Sequence, residues 1–111
     1  MKERILICID EIIPLLKDRQ IKKPNAVELL IEDKFIGEGY GIPTPEALFA
    51  IKQLAKHEGI VLDYTYTGKA MAGLLNYIEQ GIIKPGEKVL FWHTGGAPVL
   101  TNIEDRWREF L

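Results

Sequence analysis

Three short segments of the sequence carry the side chains whose types and spacing could perform chemistry. Residues 37–43 (GEGYGIP) place Tyr40 among glycines, and residues 64–69 (YTYTGK) end in a Gly-Lys pair. Residues 93–96 (HTGG) join an imidazole and a hydroxyl to two further glycines. Glycines let a ligand approach the backbone closely, while phenols, hydroxyls and imidazoles donate and accept hydrogen bonds. Together the three segments predict a polar, glycine-lined site.

Several familiar kinds of site are excluded or disfavoured by residue type and spacing. The sequence contains no serine, so a serine nucleophile is excluded. The glycines around Tyr40 lack the dinucleotide-binding spacing, because a proline follows them and the next helix starts only at Pro45. The Gly-Lys pair lacks the Walker spacing, since Asp63 and Ala70 stand where a glycine and a serine or threonine are required. His93 has no second ligand at metal-binding spacing, which disfavours a metal site.

Each segment also has a purely structural interpretation, which residue types alone leave open. Tyr40 can pack against the fold beside a tight turn, and His93 can be a packed side chain with satisfied hydrogen bonds. Thr67 can cap a helix that starts near Gly68, and the free N–H groups of that helix could bind an anion as well. The residues by themselves do not choose between these alternatives.

The helices and strands that would position these segments are predicted from the apolar pattern. Apolar spacing and capping residues predict four helices, at residues 2–19 with an interruption at Pro14, at 45–58, at 69–80 and from about 101. Thr44 and Gly59 mark the two ends of the second of these helices. Three apolar runs predict strands at residues 26–31, 60–62 and 89–92. This alternation predicts an α/β fold, with a short parallel sheet of about three strands flanked by helices.

The spacing of three hydroxyl-bearing residues agrees with such a sheet. Tyr40, Thr67 and Thr94 stand 27 residues apart, and each interval holds one predicted helix and one predicted strand. Residues that follow successive parallel strands lie at the same edge of a sheet, where ligands bind in open α/β folds. We therefore expect the three side chains to converge. The alternative is coincidence, because helix-strand units of similar length produce the same spacing.

Composition limits the class of protein and its partners. The chain has 111 residues, with 14 Lys or Arg, 16 Asp or Glu and a net charge of -2. We predict a single domain over residues 1–111 and no affinity for nucleic acid, since basic residues are not in excess. Neither a long apolar run nor a secretion signal is present, which predicts a cytoplasmic protein. The single cysteine, Cys8, lies in an apolar periodic stretch and is expected to be a buried thiol.

The same segments resemble a known enzyme family. The resemblance is carried by three motifs in order, GYGIPTPEAL at 39–48, YTGKAMAGL at 66–74 and VLFWHTGGAP at 89–98. They resemble the C-terminal part of the D-cysteine desulfhydrase / 1-aminocyclopropane-1-carboxylate deaminase family, pyridoxal-phosphate enzymes of the tryptophan-synthase-β fold type. The resemblance covers nearly all of residues 25–100. It implies that residues 1–111 are the C-terminal portion of the enzyme's large domain, a fragment of a larger three-layer α/β domain.

The resemblance also implies roles for five residues. Tyr40 and Tyr66 match catalytic tyrosines beside the cofactor ring and the substrate. Thr67 matches the position that faces the pyridine nitrogen, Thr94 matches a second discriminating position, and Gly95 belongs to the same cofactor-binding edge. The deaminase branch is similar but has "YEGK" and "HLGG" here, whereas this chain has threonine at both positions, as in the desulfhydrase branch. A carboxylate would hold the pyridine nitrogen protonated and strengthen the ring as an electron sink, whereas a neutral hydroxyl would not. Eliminating a good thiol leaving group needs less carbanion stabilisation than opening a ring, so the two threonines favour desulfhydration.

Two parts of the family's catalytic apparatus have no match in this sequence. The Schiff-base lysine and the loop that holds the cofactor phosphate lie earlier in the family's chain, and Lys69 is not in the Schiff-base context. We therefore expect a fragment of a D-cysteine desulfhydrase-like lyase, an enzyme that forms pyruvate, sulfide and ammonia. Such a fragment would be half of a split enzyme, a truncated copy or a shortened chain. We expect it to be inactive alone and to have lost most of the family's affinity for pyridoxal phosphate.

Two alternative functions remain open on the sequence alone. One is a 1-aminocyclopropane-1-carboxylate deaminase-like fragment, and the other is a catalytically inactive remnant that oligomerises or binds an anion. In each case parallel strands need cover on both faces and continuation at the edges. We therefore expect a second copy of the chain or a companion chain as partner. A small amino-acid substrate is implied by the family, whereas a membrane or nucleic acid is not.

Overall fold

The computed structural model describes residues 2–19 and 29–96. Its helices lie close to three of the four that the sequence predicts. The chain divides into two units, Met1–Ile31 and Glu32–Leu111. The single domain expected over residues 1–111 stays a prediction. No helix within the two described ranges is both long and apolar enough to cross a membrane.

The first unit contains a helix that changes type at a proline. The α-helix α1 spans Lys2–Ile12, and a 3-10 helix continues over Ile13–Arg19. Pro14 lacks the N–H that a continuing α-helix requires, so the predicted interruption is confirmed. Cys8 is exposed, contrary to the expectation of a buried thiol. Ile12, on the same predicted apolar face, is exposed as well, since apolar periodicity identifies a helix face without providing anything to cover it.

Helix α2 starts and ends at the residues that the sequence predicts. It spans Pro45–Glu58, and its first position is a proline, whose missing N–H is not needed there. The Thr44 hydroxyl oxygen accepts a hydrogen bond from the N–H of Ala47 over 3.2 Å. Gly59 ends the helix with a φ of +66°, and its N–H donates to a carbonyl of the last turn. Both boundaries depend on side chains within a few residues of them, which is why the prediction is confirmed.

Helix α3 packs against α2, and their contact forms the core of the second unit. It spans Thr67–Glu79, so it begins two residues earlier than predicted. The fourth predicted helix, from about residue 101, lies outside the described residues. Gly68 permits the close approach of the two helices, because a Cβ there would lie 2.9 Å from the side chain of Ile51. The buried apolar side chains of the core are Leu48, Ala50, Ile51, Leu62, Met71 and Ala72.

The predicted parallel sheet is wrong for the part of the chain that the structure describes. Residues 60–62, residues 89–92 and the described part of 26–31 contain no strand, and no sheet is present elsewhere in that part. A strand requires a hydrogen-bonded neighbour along its length, and these apolar runs form no such ladder. Leu62 is buried in the helical core, but Leu90 is 83% exposed, unlike a residue in a covered parallel strand.

Candidate functional site

The two tyrosines predicted to be catalytic lie in direct contact. The hydroxyl of Tyr66 donates a hydrogen bond to the hydroxyl of Tyr40 over 2.9 Å. Their rings meet edge to face, with centroids 5.7 Å apart and planes inclined by 71°, an arrangement that aromatic rings favour. Both side chains are exposed, Tyr40 to 80% and Tyr66 to 57%. The pair therefore presents two linked phenol groups at the surface of the second unit.

This contact keeps the phenol of Tyr66 protonated to higher pH. The hydrogen bond with Tyr40 raises the pKa of Tyr66 above its ordinary value, and partial burial and the charges of Tyr40 and Asp63 raise it further. A neutral phenol both donates and accepts hydrogen bonds, whereas a phenolate only accepts them. Because Tyr66 donates to Tyr40, the proton of Tyr40 can be donated to a further acceptor.

A buried carboxylate at the start of α3 holds the backbone that carries Tyr66. Oδ1 of Asp63 accepts hydrogen bonds of 2.7 Å from the N–H groups of Thr65 and Tyr66. Oδ2 accepts the N–H of Thr67 over 3.0 Å and also the hydroxyl of Thr67. The carbonyl oxygen of Asp63 accepts the N–H of Gly68 over 2.6 Å. These N–H groups are therefore engaged within the chain rather than free for an anion.

The carboxyl group of Asp63 is stabilised in its charged form. Burial raises the pKa of Asp63, but hydrogen bonds from Thr67, Tyr66 and Thr65 lower it by more, so the net pKa lies below its ordinary value. A negative charge at a helix N-terminus also interacts favourably with the helix dipole. This role of Asp63 was not predicted from the sequence, although an aspartate just before a helix is a common capping signal.

Thr67, which the resemblance sets opposite a pyridine nitrogen, is buried against Asp63. It is 3% exposed, and its hydroxyl donates to Oδ2 of Asp63 while accepting the N–H of Asp63 over 2.9 Å. A threonine hydroxyl has one proton and two lone pairs, so one lone pair remains for another donor. Thr67 is the first residue of α3, and its N–H donates to the carboxylate of Asp63. Asp63 therefore caps this helix, and the interpretation of Thr67 as the capping residue is wrong.

The imidazole of His93 holds the third predicted segment in place. Its Nε2 lies 3.0 Å from the carbonyl oxygen of Val61, and its Nδ1 accepts the N–H of Gly95 over 3.0 Å. A carbonyl oxygen only accepts and an amide N–H only donates, so in these contacts Nε2 donates to Val61 and Nδ1 accepts from Gly95. Both ring nitrogens of His93 therefore serve structural hydrogen bonds. Thr94, which lies between His93 and Gly95 in the chain, is exposed.

The same segment reaches Asp63 through Gly96. The φ of Gly96 is +116°, which favours glycine, and a Cβ at this position would collide with the carboxyl group of Asp63. His93 contacts Val61, and Gly96 approaches Asp63, so the segment of His93 and the segment of Asp63 touch at two points. The two segments therefore lie beside each other, without a strand ladder. Asp63 is the residue at which they meet α3.

Lys69 links the loop that carries Tyr40 to α3. Its side chain is 8% exposed, and its Nζ donates to the carbonyl oxygens of Ile36 over 2.6 Å and Gly39 over 3.0 Å. Gly39 directly precedes Tyr40, and Lys69 lies three residues after Tyr66. This link was not predicted from the sequence, because the bonded residues are 33 and 30 positions apart and no local pattern connects them.

The segments that carry the predicted site residues thus contact one another. Tyr40 and Tyr66 meet directly, whereas Thr94 and Gly95 lie on the segment that approaches Asp63. Within the described residues, no group of three His, Cys, Asp or Glu side chains is placed to hold a metal ion. The catalytic and cofactor-binding roles assigned to the site residues stay predictions.

The residues of this site fall inside a region that matches a known protein family. Residues 3–95 match the family described as pyridoxal-phosphate dependent enzyme. The matched region is well over half of the 111 residues. It contains the tyrosine pair, Asp63, Lys69 and the imidazole of His93.

Proposed function

The chain belongs to the pyridoxal-phosphate dependent enzymes, and we propose that it supplies one wall of a lyase site acting on D-cysteine. The products of that reaction would be pyruvate, sulfide and ammonia. The observation that carries the proposal is the contact between Tyr40 and Tyr66, whose linked phenols are exposed beside the start of α3. Both tyrosines belong to the motifs on which the resemblance to D-cysteine desulfhydrases rests.

In this proposal the tyrosine pair binds the substrate and supplies a proton. The phenol of Tyr66 is neutral at pH 7 and donates to Tyr40, which leaves the Tyr40 proton for a substrate atom. Elimination of sulfide is assisted by a proton donor near the leaving sulfur, and we assign this role to the hydroxyl of Tyr40. When bound, pyridoxal phosphate supplies the electron sink that weakens the bond to the leaving group.

The described residues fit the ring side of pyridoxal phosphate better than its phosphate. The N–H groups at the start of α3 are bonded to Asp63, whose charge would also repel a phosphate there. The N–H of Gly95 is bonded to His93. The phenols of Tyr40 and Tyr66, by contrast, are exposed and present polar groups and ring edges to a planar ligand. These features support a wall that contacts the ring and the substrate, with the phosphate held by other residues.

The uncharged residues near α3 support a desulfhydrase rather than a deaminase. Thr67 carries no charge, and the carboxylate of Asp63 behind it already accepts four hydrogen bonds. Neither group is therefore suited to hold a ring nitrogen protonated. Thr94 is a second uncharged position on the neighbouring segment. Eliminating a thiol needs less carbanion stabilisation than opening a carbon ring, so these positions favour D-cysteine as the substrate.

We further propose that the second unit associates with a companion chain or with a second copy of this chain. Several large apolar side chains of the second unit are exposed, among them Phe49, Leu90 and Trp92. Exposed apolar surface of this kind is typical of proteins that associate with a partner. Association with a companion chain, or with a second copy of this chain, would cover it.

Complementation tests the proposed function. The N-terminal part of a D-cysteine desulfhydrase, with its lysine and phosphate loop but without the segment that resembles this chain, is mixed with this chain and pyridoxal phosphate. We expect sulfide release from D-cysteine in the mixture and from neither part alone. A complex that forms without releasing sulfide would refute the proposal. Ammonia released from 1-aminocyclopropane-1-carboxylate in its place would indicate the deaminase.

A matched pair of tyrosine variants separates catalysis from folding in the same assay. Tyr40→Phe removes the hydroxyl assigned as the proton donor, whereas Tyr77→Phe removes one that donates to Glu32 over 2.8 Å. We expect Tyr40→Phe to lower sulfide release roughly a hundredfold, the usual effect of losing a general acid. Tyr77→Phe should leave the rate nearly unchanged. Equal losses in the two variants would mean that the tyrosine pair has no catalytic role.

A further inference from the structure

Lys69 is a buried cation whose partners are backbone carbonyls. Its side chain is 8% exposed, and its Nζ donates to the carbonyl oxygens of Ile36 and Gly39 over 2.6 and 3.0 Å. Burying an ammonium group is unfavourable unless hydrogen bonds compensate for the lost water. An apolar side chain of similar length, such as methionine, would fill the same space without that penalty. The charged group therefore has a role in addition to packing.

The two carbonyls hold the loop at the point from which Tyr40 departs. The carbonyl of Gly39 belongs to the planar peptide unit that joins it to Tyr40, so a bond to this oxygen fixes the plane of that unit. Within the loop, the hydrogen bonds from Ile36 to Asp33 (3.3 Å) and from Ile42 to Gly39 (3.4 Å) are long. The bonds from the ammonium group are shorter and charge-assisted, and they are therefore the stronger restraint.

The other end of this link is the helix start that carries Tyr66. Lys69 follows Tyr66 by three residues, and the backbone at Tyr66 is fixed by the carboxylate of Asp63. The ammonium group of Lys69 thus connects the backbone segment of Tyr40 with that of Tyr66, and the hydroxyl oxygens of these two tyrosines lie 2.9 Å apart. We propose that Lys69 is a positioning residue, which sets the distance between the hydroxyls of Tyr40 and Tyr66. Its importance for a reaction rests on the proposed function, whereas the positioning itself requires no cofactor.

The variant Lys69→Met tests the proposal, because it keeps an apolar chain of similar length and removes the donors. We expect the pKa of Tyr66, followed by carbon NMR of the phenol, to fall toward its ordinary value. We also expect amide exchange at Ile36 and Ile42, whose N–H groups donate within the loop, to accelerate roughly tenfold or more, and exchange at residues 70–79 to stay unchanged. Lys88→Met, which alters an exposed lysine, is the matched control and should change neither quantity.

A chemical rescue asks whether the charge itself is required. Lys69→Cys is made in a Cys8→Ser background, since Cys8 is exposed and would react as well. The unfolded chain is alkylated with bromoethylamine, which restores an ammonium group at nearly the length of lysine, and is then refolded. We expect the pKa of Tyr66 to regain its raised value. Alkylation with iodoethane, which adds an uncharged group, should leave that pKa lowered.

The unaltered chain offers a measurement that does not depend on a variant folding. The ammonium group of Lys69 should give a protected nitrogen signal, with couplings across its hydrogen bonds to the carbonyl carbons of Ile36 and Gly39. The absence of those couplings, or an unchanged pKa of Tyr66 in folded Lys69→Met, would overturn the proposal. None of these signals involves pyridoxal phosphate or turnover. A chain that shows them but fails in complementation would therefore reject the proposed function alone.

Discussion

Asp63 and Thr67 are joined by three hydrogen bonds. The N–H of Asp63 donates to the hydroxyl oxygen of Thr67 over 2.9 Å, while the N–H and the hydroxyl of Thr67 both donate to Oδ2 of Asp63. Both residues are buried. This closed set of bonds fixes the first residue of α3, and it thereby fixes the direction in which the adjacent Tyr66 leaves the backbone.

Replacing the carboxylate should destabilise the start of α3. In Asp63→Asn an amide N–H2 would face the N–H and the hydroxyl of Thr67, so that donors oppose donors in a buried position. We expect the free energy of unfolding, measured with urea, to fall by about 2 kcal/mol. Asp33→Asn, at an exposed position, is the matched control and should change it little. Equal effects of the two substitutions would contradict the capping role of Asp63.

Acid should weaken the fold through the same carboxyl group. Burial raises the pKa of Asp63, but the hydrogen bonds from Thr67, Tyr66 and Thr65 lower it by more. A carboxyl whose folded pKa is lowered contributes stability that is complete above its unfolded pKa of about 3.9 and is lost as pH falls through the folded pKa. The urea midpoint should therefore be level above about pH 5 and should fall below it.

The variant Asp63→Asn identifies the origin of this acid effect. Its urea midpoint should fall less steeply in acid than that of the unaltered chain, because the titrating group is gone. Some dependence should remain, since the pKa of Glu32 is also lowered, chiefly by the hydrogen bond from Tyr77. Identical slopes for the variant and the unaltered chain would exclude Asp63 as the group responsible.

Removing the hydroxyl of Tyr40 should lower the pKa of its partner. In Tyr40→Phe the phenol of Tyr66 loses the hydrogen bond that is the main cause of its raised pKa. An NMR titration should show this pKa moving down toward its ordinary value. Tyr77, whose pKa is raised by its separate hydrogen bond to Glu32, serves as the internal reference and should not move. A constant pKa for Tyr66 would mean that the two hydroxyls are not bonded in solution.

Two glycines of α3 should respond differently to substitution by alanine. A Cβ at Gly68 would lie 2.5 Å from the carbonyl oxygen of Asp63 and 2.9 Å from the side chain of Ile51, whereas a Cβ at Gly73 would lie 3.2 Å from the ring of Phe35. A backbone carbonyl cannot move aside as a ring can. We expect Gly68→Ala to lower the free energy of unfolding by about 1–3 kcal/mol. Gly73→Ala should be nearly neutral, because its contact is offset by the better helix propensity of alanine.

The sequence predicts the helices because their signals are local. The cap at Thr44, the interruption at Pro14 and the stop at Gly59 each depend on residues a few positions away. A sheet cannot be predicted in this way, since each strand depends on partners distant in the chain. The apolar runs at residues 60–62 and 89–92 carry the composition of strands without the neighbours that a strand requires.

The same contrast separates the site residues that could be predicted from those that could not. Tyr40 and Tyr66 are identified by motifs that surround them in the sequence. Their contact depends on Lys69, which reaches across 30 residues and more, and on Asp63, which looks like an ordinary turn residue in the sequence. Residue types thus indicate the chemistry, whereas the buried charges that position it appear only in three dimensions.

Position 67, where the deaminase branch carries glutamate, offers the strongest test of the desulfhydrase assignment. In Thr67→Glu a second carboxylate would be buried beside Asp63, and each negative charge would disfavour the other. The pKa of the introduced carboxyl would be raised above its unfolded value. It would therefore destabilise the chain at neutral pH, and the loss would diminish as pH falls through that raised pKa.

Thr67→Gln, which has the same size and no charge, isolates the effect of the charge. At pH 7 we expect the free energy of unfolding of Thr67→Glu to lie below that of Thr67→Gln by about 1–3 kcal/mol, which corresponds to a pKa raised by about one to two units. The difference should disappear near pH 4. A difference that is independent of pH would assign the loss to side-chain shape alone. A Thr67→Glu chain as stable as Thr67→Gln at pH 7 would mean that Asp63 can tolerate a glutamate beside it, and this fold would then be equally compatible with a deaminase.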